Sequence, residues 1–153
     1  LDADGERFRS GCEAGPEIVK PNKEELLEYA GIARSVSMTK EEESQIIGKT
    51  VRDLFEKGVK RIVVSMGKEG ALMRERGFAA AAEAIPVEVQ STVGAGDAFA
   101  AALAYAWENK LDKKEAFQLG MAVSAGAVTT EGTRPPSLKK VQELLESLKR
   151  AKQ

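Results

Sequence analysis

Ser91-Thr92-Val93-Gly94-Ala95-Gly96-Asp97-Ala98-Phe99 is a glycine-bearing turn that runs straight into an alanine-rich helix, expected over Ala98 to Glu108. Two glycines let the backbone approach a ligand closely and take dihedrals that other residues avoid. The first amides of a helix have no internal partner, and the helix dipole favours anions at that end. Asp97 sets a carboxylate beside it. A helix start alone can use such an acid as a cap, worth about 1 kcal/mol. The sharper reading is a phosphate cradle with a base beside it.

Upstream of the turn, Ile85 to Gln90 alternates apolar and polar residues around Pro86 and reads as a final edge strand. Lys60-Arg61-Ile62-Val63-Val64-Ser65 is a β-branched run of the kind found in a strand covered on both faces. Gly70 and Gly77 bracket a short strand, and Gly77 supplies a hairpin turn into Phe78 to Ala84. The alanines 79–82 have helical propensity, but their place between a hairpin turn and Pro86 favours a strand. Ser37 to Lys57 is a long helical pattern capped by Thr39, with Glu41 to Glu43 in its first turn. Ile46, Ile47, Val51, Leu54 and Phe55 share one face of it. A helix leading into a buried strand points to a parallel sheet with crossover helices.

Nearer the start, Leu1 to Glu6 resembles a strand end and turn, so further chain is expected before it. A short helix over Arg7 to Glu13 is broken by Gly15-Pro16, and Glu17-Ile18-Val19-Lys20 is a short strand. Pro21-Asn22 then opens a helix over Lys23 to Ala30 that Gly31 stops. Asn22 and Glu25 stand at capping-box spacing, so a plain helix start is one sufficient account of them. Downstream of the turn, a helix from Lys113 to about Thr130 carries Phe117, Met121, Val123 and Val128 beside small Gly120, Ser124 and Gly126. Glu131 to Pro136 is a stiff loop, and Ser137 caps a last helix with Val141, Leu144, Leu145 and Leu148 inward. Lys149 to Lys152 reads as its solvated end.

Composition narrows the chemistry. The 153 residues suit a single domain with a real core. A net charge of −1 gives no support for a nucleic-acid or membrane-surface partner. One cysteine, Cys12, excludes an internal disulfide and fits a reducing cytoplasm. No apolar run approaches the roughly 20 residues that span a bilayer. The absence of histidine removes Ser-His and Cys-His catalysis and histidine-ligated zinc. Acid–base work is left to carboxylates, Lys, Tyr or Cys12. Phe99 stands where a dinucleotide fingerprint needs its third glycine and where a Walker motif needs its second. Gly67-Lys68 is followed by Glu69, not by Ser or Thr.

Taken together, VKPNKEEL at 19–26, VVSMGKEGAL at 63–72, STVGAGDAFAAAL at 91–103 and AVSAGAVTTEGTR at 122–134 resemble the ribokinase-like sugar kinases of the phosphofructokinase-B type. Their order and spacing match that family over nearly the whole chain. The KPN and GTR elements resemble its phosphosugar branch: 1-phosphofructokinase, the minor 6-phosphofructokinase and tagatose-6-phosphate kinase. The resemblance implies an α/β fold, a ribokinase-like three-layer α/β/α sandwich of which this chain is the C-terminal half only. It implies one nucleotide-binding domain over residues 1–153, with the sugar pocket, remaining strands and β-lid outside it.

By that resemblance Asp97 is the catalytic base, and the amides of Gly94, Ala95 and Gly96 form the anion hole. Ser65, Gly67, Gly70 and Thr92 line the ATP site, with Ser124 near the adenine and Lys20 approaching the phosphates. Asn22 and Glu25 form an N-x-x-E element that organises Mg²⁺ and its waters. Backbone groups around Ser91, Val93, Gly132 and Arg134 form the monovalent-cation site, for an ion such as K⁺, that some members use. The implied partners are ATP and a phosphosugar, with self-association or association with the missing N-terminal half, and neither nucleic acid nor membrane. The implied reaction is ATP-dependent conversion of fructose-1-phosphate or fructose-6-phosphate to fructose-1,6-bisphosphate. The isolated chain is expected to be inactive and a weak ATP binder. A non-catalytic nucleotide-binding fragment, or a kinase of an unphosphorylated sugar or nucleoside, are the alternatives.

Overall fold

Two parallel strands, β1 (Ile18–Val19) and β2 (Arg61–Ser65), pair with Ile18 opposite Arg61 and Val19 opposite Ile62. Between them in the chain lie helices α1 (Lys23–Tyr29) and α2 (Lys40–Glu56). That is the crossover the sequence led us to expect. The computed structural model describes residues 1–33 and 35–150. They gather into two compact units: Leu1–Gly67 with Ala71–Ala81, and Lys68–Gly70 with the chain from Ala82 onward.

The sheet is mixed, as a parallel crossover followed by a hairpin at Gly77 requires. β3 (Ala71–Glu75) runs antiparallel to β2, and β4 (Phe78–Ala82) follows it in the order β1-β2-β3-β4. The turn at Gly77, with φ +74, is too short for a crossover, so the chain must double back. An Arg61–Glu75 ion pair at 2.7 Å joins residues that are direct cross-strand partners. A helix ahead of β1, Gly5–Glu13, buries Phe8 and Cys12. These meet Val19, Leu26, Val51, Leu54, Ile62 and Val64 in the core of the first unit. Ile47 of α2 is buried too, while Ile46 and Phe55 are only half-buried.

The second unit is helical: α3 (Ala95–Glu108), α4 (Lys113–Ala127) and α5 (Leu138–Arg150), with α4 packed against both of the others. Phe99 and Phe117 lie with ring centroids 6.5 Å apart at the α3–α4 seam. Gly120 is there because a Cβ on it would run into the Phe99 ring. α5 turns Val141, Leu144 and Leu148 inward, and Leu145 is half-buried.

Several boundaries differ from the sequence reading: the helix expected from Arg7 begins at Gly5, the one expected from Ser37 begins at Lys40, and the strand expected to Ala84 ends at Ala82. Three more differences fall in the second unit. Residues 85–90 form no strand; Pro86 lacks an N–H, and Gln90 donates to the Val128 carbonyl at 2.8 Å. α3 begins at Ala95, so Ala95, Gly96 and Asp97 are its first turn and not part of the preceding loop. α4 stops at Ala127, where the Thr129 and Thr130 hydroxyls donate to the carbonyls of Gly126 and Ala127. The expected solvated helix end is described as far as Arg150; Ala151 and Lys152 lie outside the described residues.

Candidate active site

Gly94 sits in the left-handed region, φ +80 and ψ −1, and its carbonyl accepts from Ala98 N–H at 2.8 Å. Only glycine takes that conformation without strain. It also has no side chain with which to cap the helix it opens. The Ala95 N–H makes a long contact, 3.4 Å, to the Thr92 carbonyl. The amides of Gly96 and Asp97 bond no partner among the described residues. The start of α3 is therefore an open set of donors at the positive end of a helix. Asp97 is exposed there, and its carboxylate makes no hydrogen bond or ion pair with the described residues. It is not a cap.

Helix α4 holds this turn from both sides. The Val128 carbonyl, just past its end, accepts from Gln90 at 2.8 Å and from Ser91 at 3.3 Å, which fixes the chain entering the turn. The Ser124 hydroxyl donates to the Ala95 carbonyl at 3.0 Å, which fixes the chain leaving it. Ser91 Oγ accepts from Val93 N–H at 3.2 Å, and Thr92 and Val93 are exposed. Gly126 lets the following loop close in, since a Cβ on it would come within 2.8 Å of Pro136. In that loop Gly132 turns with φ +59, and the Arg134 carbonyl accepts the Thr130 hydroxyl at 2.5 Å. Thr133 lies beside Gly94. A recess of about 520 Å³ is lined by this loop, with Gln90, Arg134 and Lys140 on its wall. Gly70, φ +98, is buried where a Cβ would strike the Ala82 carbonyl, so its own unit already requires it to be glycine.

In the first unit, the remaining expected site residues cluster at the carboxyl ends of β1 and β2. Ligands of open α/β sheets bind at that edge. Ser65 N–H donates to the Pro21 carbonyl at 3.2 Å, and Asn22 bridges to Ser65 in parallel register. Gly67 follows, exposed, with φ +54. Asn22 and Glu25 complete a capping box on α1: Asn22 Oδ1 accepts from Glu25 N–H at 2.8 Å, and Glu25 Oε2 accepts from Asn22 N–H at 2.8 Å. Lys20 is buried, with its ammonium 3.3 Å from the Asp2 carboxylate.

Cys12 drops out as a reactive group. Burial pushes its thiol up, with Lys57 only partly opposing this, so the nucleophilic thiolate is disfavoured. Asp2 and Thr130 were not singled out in the sequence. Asp2 matters through a partner remote in the chain, Lys20, and Thr130 through the carbonyls of Ala127 and Arg134; only the position of Asp2 at a strand end was legible. No group of three or more acidic or cysteine side chains converges among the described residues. A divalent ion here fits only the Mg²⁺ habit of one or two protein ligands completed by waters and phosphates. Glu25 Oε1, which makes no hydrogen bond with the described residues, is available for that.

The mixed sheet with its helices is a ribokinase-like α/β fold. The chain belongs to the pfkB family of carbohydrate kinases, whose model matches residues 3–140. It is similar to 1-phosphofructokinase of Haemophilus influenzae, 33% identical over 149 residues, covering 97% of this chain and 45% of that one. Escherichia coli phosphofructokinase-2 solved with potassium superimposes with a TM-score of 0.84 at 30% identity, covering 97% of this chain and 47% of that chain. Arabidopsis thaliana ribokinase complexed with ribose and ATP gives a TM-score of 0.71 at 28% identity, covering 85% of this chain and 41% of that chain. The chain thus spans less than half the length of these relatives. No helix among the described residues is long and apolar enough to cross a membrane.

Proposed function

We propose that this chain is the nucleotide-binding, base-bearing half of an ATP-dependent hexose-phosphate kinase. Its reaction makes fructose-1,6-bisphosphate from fructose-1-phosphate or fructose-6-phosphate. The observation that carries this reading is the start of α3. The amides of Gly96 and Asp97, without a partner among the described residues, stand at a helix start that carries an exposed carboxylate likewise without one. Phosphoryl transfer asks mainly for positioning and charge stabilisation. The Asp97 carboxylate takes the proton of the sugar hydroxyl as that oxygen attacks the γ-phosphorus and the bond to ADP breaks. The Gly94–Gly96 amides stabilise negative charge on the transferred group. Lys20, Ser65, Gly67, Gly70, Thr92 and Ser124 serve the nucleotide.

Mg²⁺, when bound, neutralises phosphate charge, and Asn22 and Glu25 hold it through its waters. The carbonyls around Ser91, Val93, Gly132 and Arg134 serve a monovalent cation, as the potassium in the Escherichia coli relative supports. The acceptor pocket and the lid belong to sequence outside this chain. Positioning and exclusion of water therefore come from a complementary segment. A reducing cytoplasmic setting suits the free, buried Cys12.

The test is calorimetric titration of the 153-residue chain with Mg²⁺-ATP, followed by a fructose-phosphate kinase assay. We expect ATP binding with negligible turnover alone, and turnover once the N-terminal half of a pfkB-type phosphofructokinase is supplied. Absence of ATP binding, or robust turnover by the chain alone, overturns the assignment.

A further inference from the structure

We propose that Asp2 is a positioning residue that aims the Lys20 ammonium at the nucleotide phosphates. The inference rests on the nucleotide reading of Lys20 given above and deepens it. Lys20 ends β1 with only 6% of its side chain exposed, and Asp2 stands 3.3 Å away with 37% of its side chain exposed. A buried cation is tolerated only with a partner, and removing that partner costs far more than the pair contributes. The aspartate is not there by chance of a long side chain. The Leu1 nitrogen donates to the Ile18 carbonyl at 2.6 Å, and Lys20 N–H donates to the Leu1 carbonyl at 2.9 Å. Residue 1 therefore lies along β1 as an added ladder position, and the backbone sets Asp2 beside Lys20.

On its other side the Lys20–Asn22 segment is tied to β2 by the Ser65–Pro21 bond and the Asn22–Ser65 bridge. The lysine backbone is thus fixed from both flanks, and the direction of its four-carbon stem is what remains to be set. An ammonium has three donors. Asp2 engages one end of the group and leaves the others for phosphate oxygens. Asp2 touches no substrate in this account; it acts through Lys20.

The experiment compares Asp2→Asn, Asp2→Glu, Lys20→Ala and the Asp2→Asn/Lys20→Ala pair in the 153-residue chain. Dissociation constants for Mg²⁺-ATP and for adenosine, which lacks phosphates, are measured. Amine-reactive labelling of Lys20 is followed in parallel by mass spectrometry without nucleotide. We expect Asp2→Asn to weaken Mg²⁺-ATP about tenfold, the scale of one charged hydrogen-bond partner, while leaving adenosine unchanged. Asp2→Glu should recover most of the loss, and Asp2→Asn should have no further effect once Lys20 is alanine. Lys20 should be protected from labelling in the parent chain and labelled in Asp2→Asn.

A purely structural Asp2 would shift ATP and adenosine together, and that result overturns the proposal. So does an ATP effect that persists without Lys20. If the parent chain binds no ATP, the nucleotide reading of Lys20 fails and the phosphate-aiming role of Asp2 fails with it. Labelling then decides separately whether Asp2 orients Lys20 at all: equal labelling in both chains removes that as well.

Discussion

Two helix starts, one in each unit, carry candidate site residues, and they are built in opposite ways. At α1 the reciprocal Asn22–Glu25 bonds fill the orphan donors, both at 2.8 Å. At α3 the entry residue is Gly94 in a left-handed conformation, no side chain caps the turn, and the Gly96 and Asp97 amides stay open. A closed start lends its polar groups to the fold. An open one costs stability and leaves its donors for an anion. The contrast separates residues whose loss should unfold from residues whose loss should only silence.

The sharpest way to break this contrast is Asp97→Asn in an assembly that phosphorylates a sugar phosphate. Turnover should fall at least about 10²-fold, the contribution of a general base, with ATP affinity and melting temperature unchanged because the carboxylate has no partner to lose. Near-normal turnover would remove Asp97 from its role. A drop in melting temperature would mean that the start of α3 is not as open as its geometry states.

At α1 the expected result is reversed. Asn22→Ala should destabilise the chain by about 1 kcal/mol through the lost cap, read as a lower denaturant midpoint. Asn22→Ser keeps the cap, so stability should be retained while Mg²⁺-ATP affinity falls. If Ser preserves both, the residue is a cap and nothing more.

The smallest effect comes from a third start, closed like α1 but carrying no candidate site residue. Glu42 accepts the Thr39 backbone N–H at 2.8 Å and the Thr39 hydroxyl at 3.1 Å, and these bonds hold its carboxyl below the usual range. A carboxyl lowered on folding stabilises fully above its unfolded value, and the gain is lost as pH falls through the folded one. Glu42→Gln should therefore melt slightly lower than the parent at neutral pH, where the gain is present, and the difference should close as pH falls below about 4.

Much of this was legible along the chain because the signals are local. The Asn22–Glu25 box and the Thr39 cap follow from the sequence, while the reciprocal Glu42 bond was added by the structure. The β-branched run at 61–65 gave a buried strand, and Gly77 gave a hairpin. The missing strand at 85–90 was not legible. Its alternating pattern is real, but Gln90 spends its amide on Val128, a residue remote in sequence. The start of α3 was misplaced by three residues because a left-handed Gly94 lets a helix begin at once, where the sequence favoured a longer turn.

The sequence by itself determined the chemistry that is open to this protein. With no histidine, one cysteine and an acid at a glycine-led helix start, carboxylate-assisted phosphate chemistry was the reading it favoured. Periodicity and capping are properties of neighbours in the chain, so helices and strands could be read there as well. Only the tertiary structure decided which polar groups are already committed. Ser124 holds the Ala95 carbonyl, Asn22 and Glu25 hold each other, and Asp2 holds Lys20, while Asp97 has no partner among the described residues. The physical reason is that a hydrogen bond or ion pair is settled by which groups fold into contact, and spacing along the chain carries no record of a partner 18 or 29 residues away.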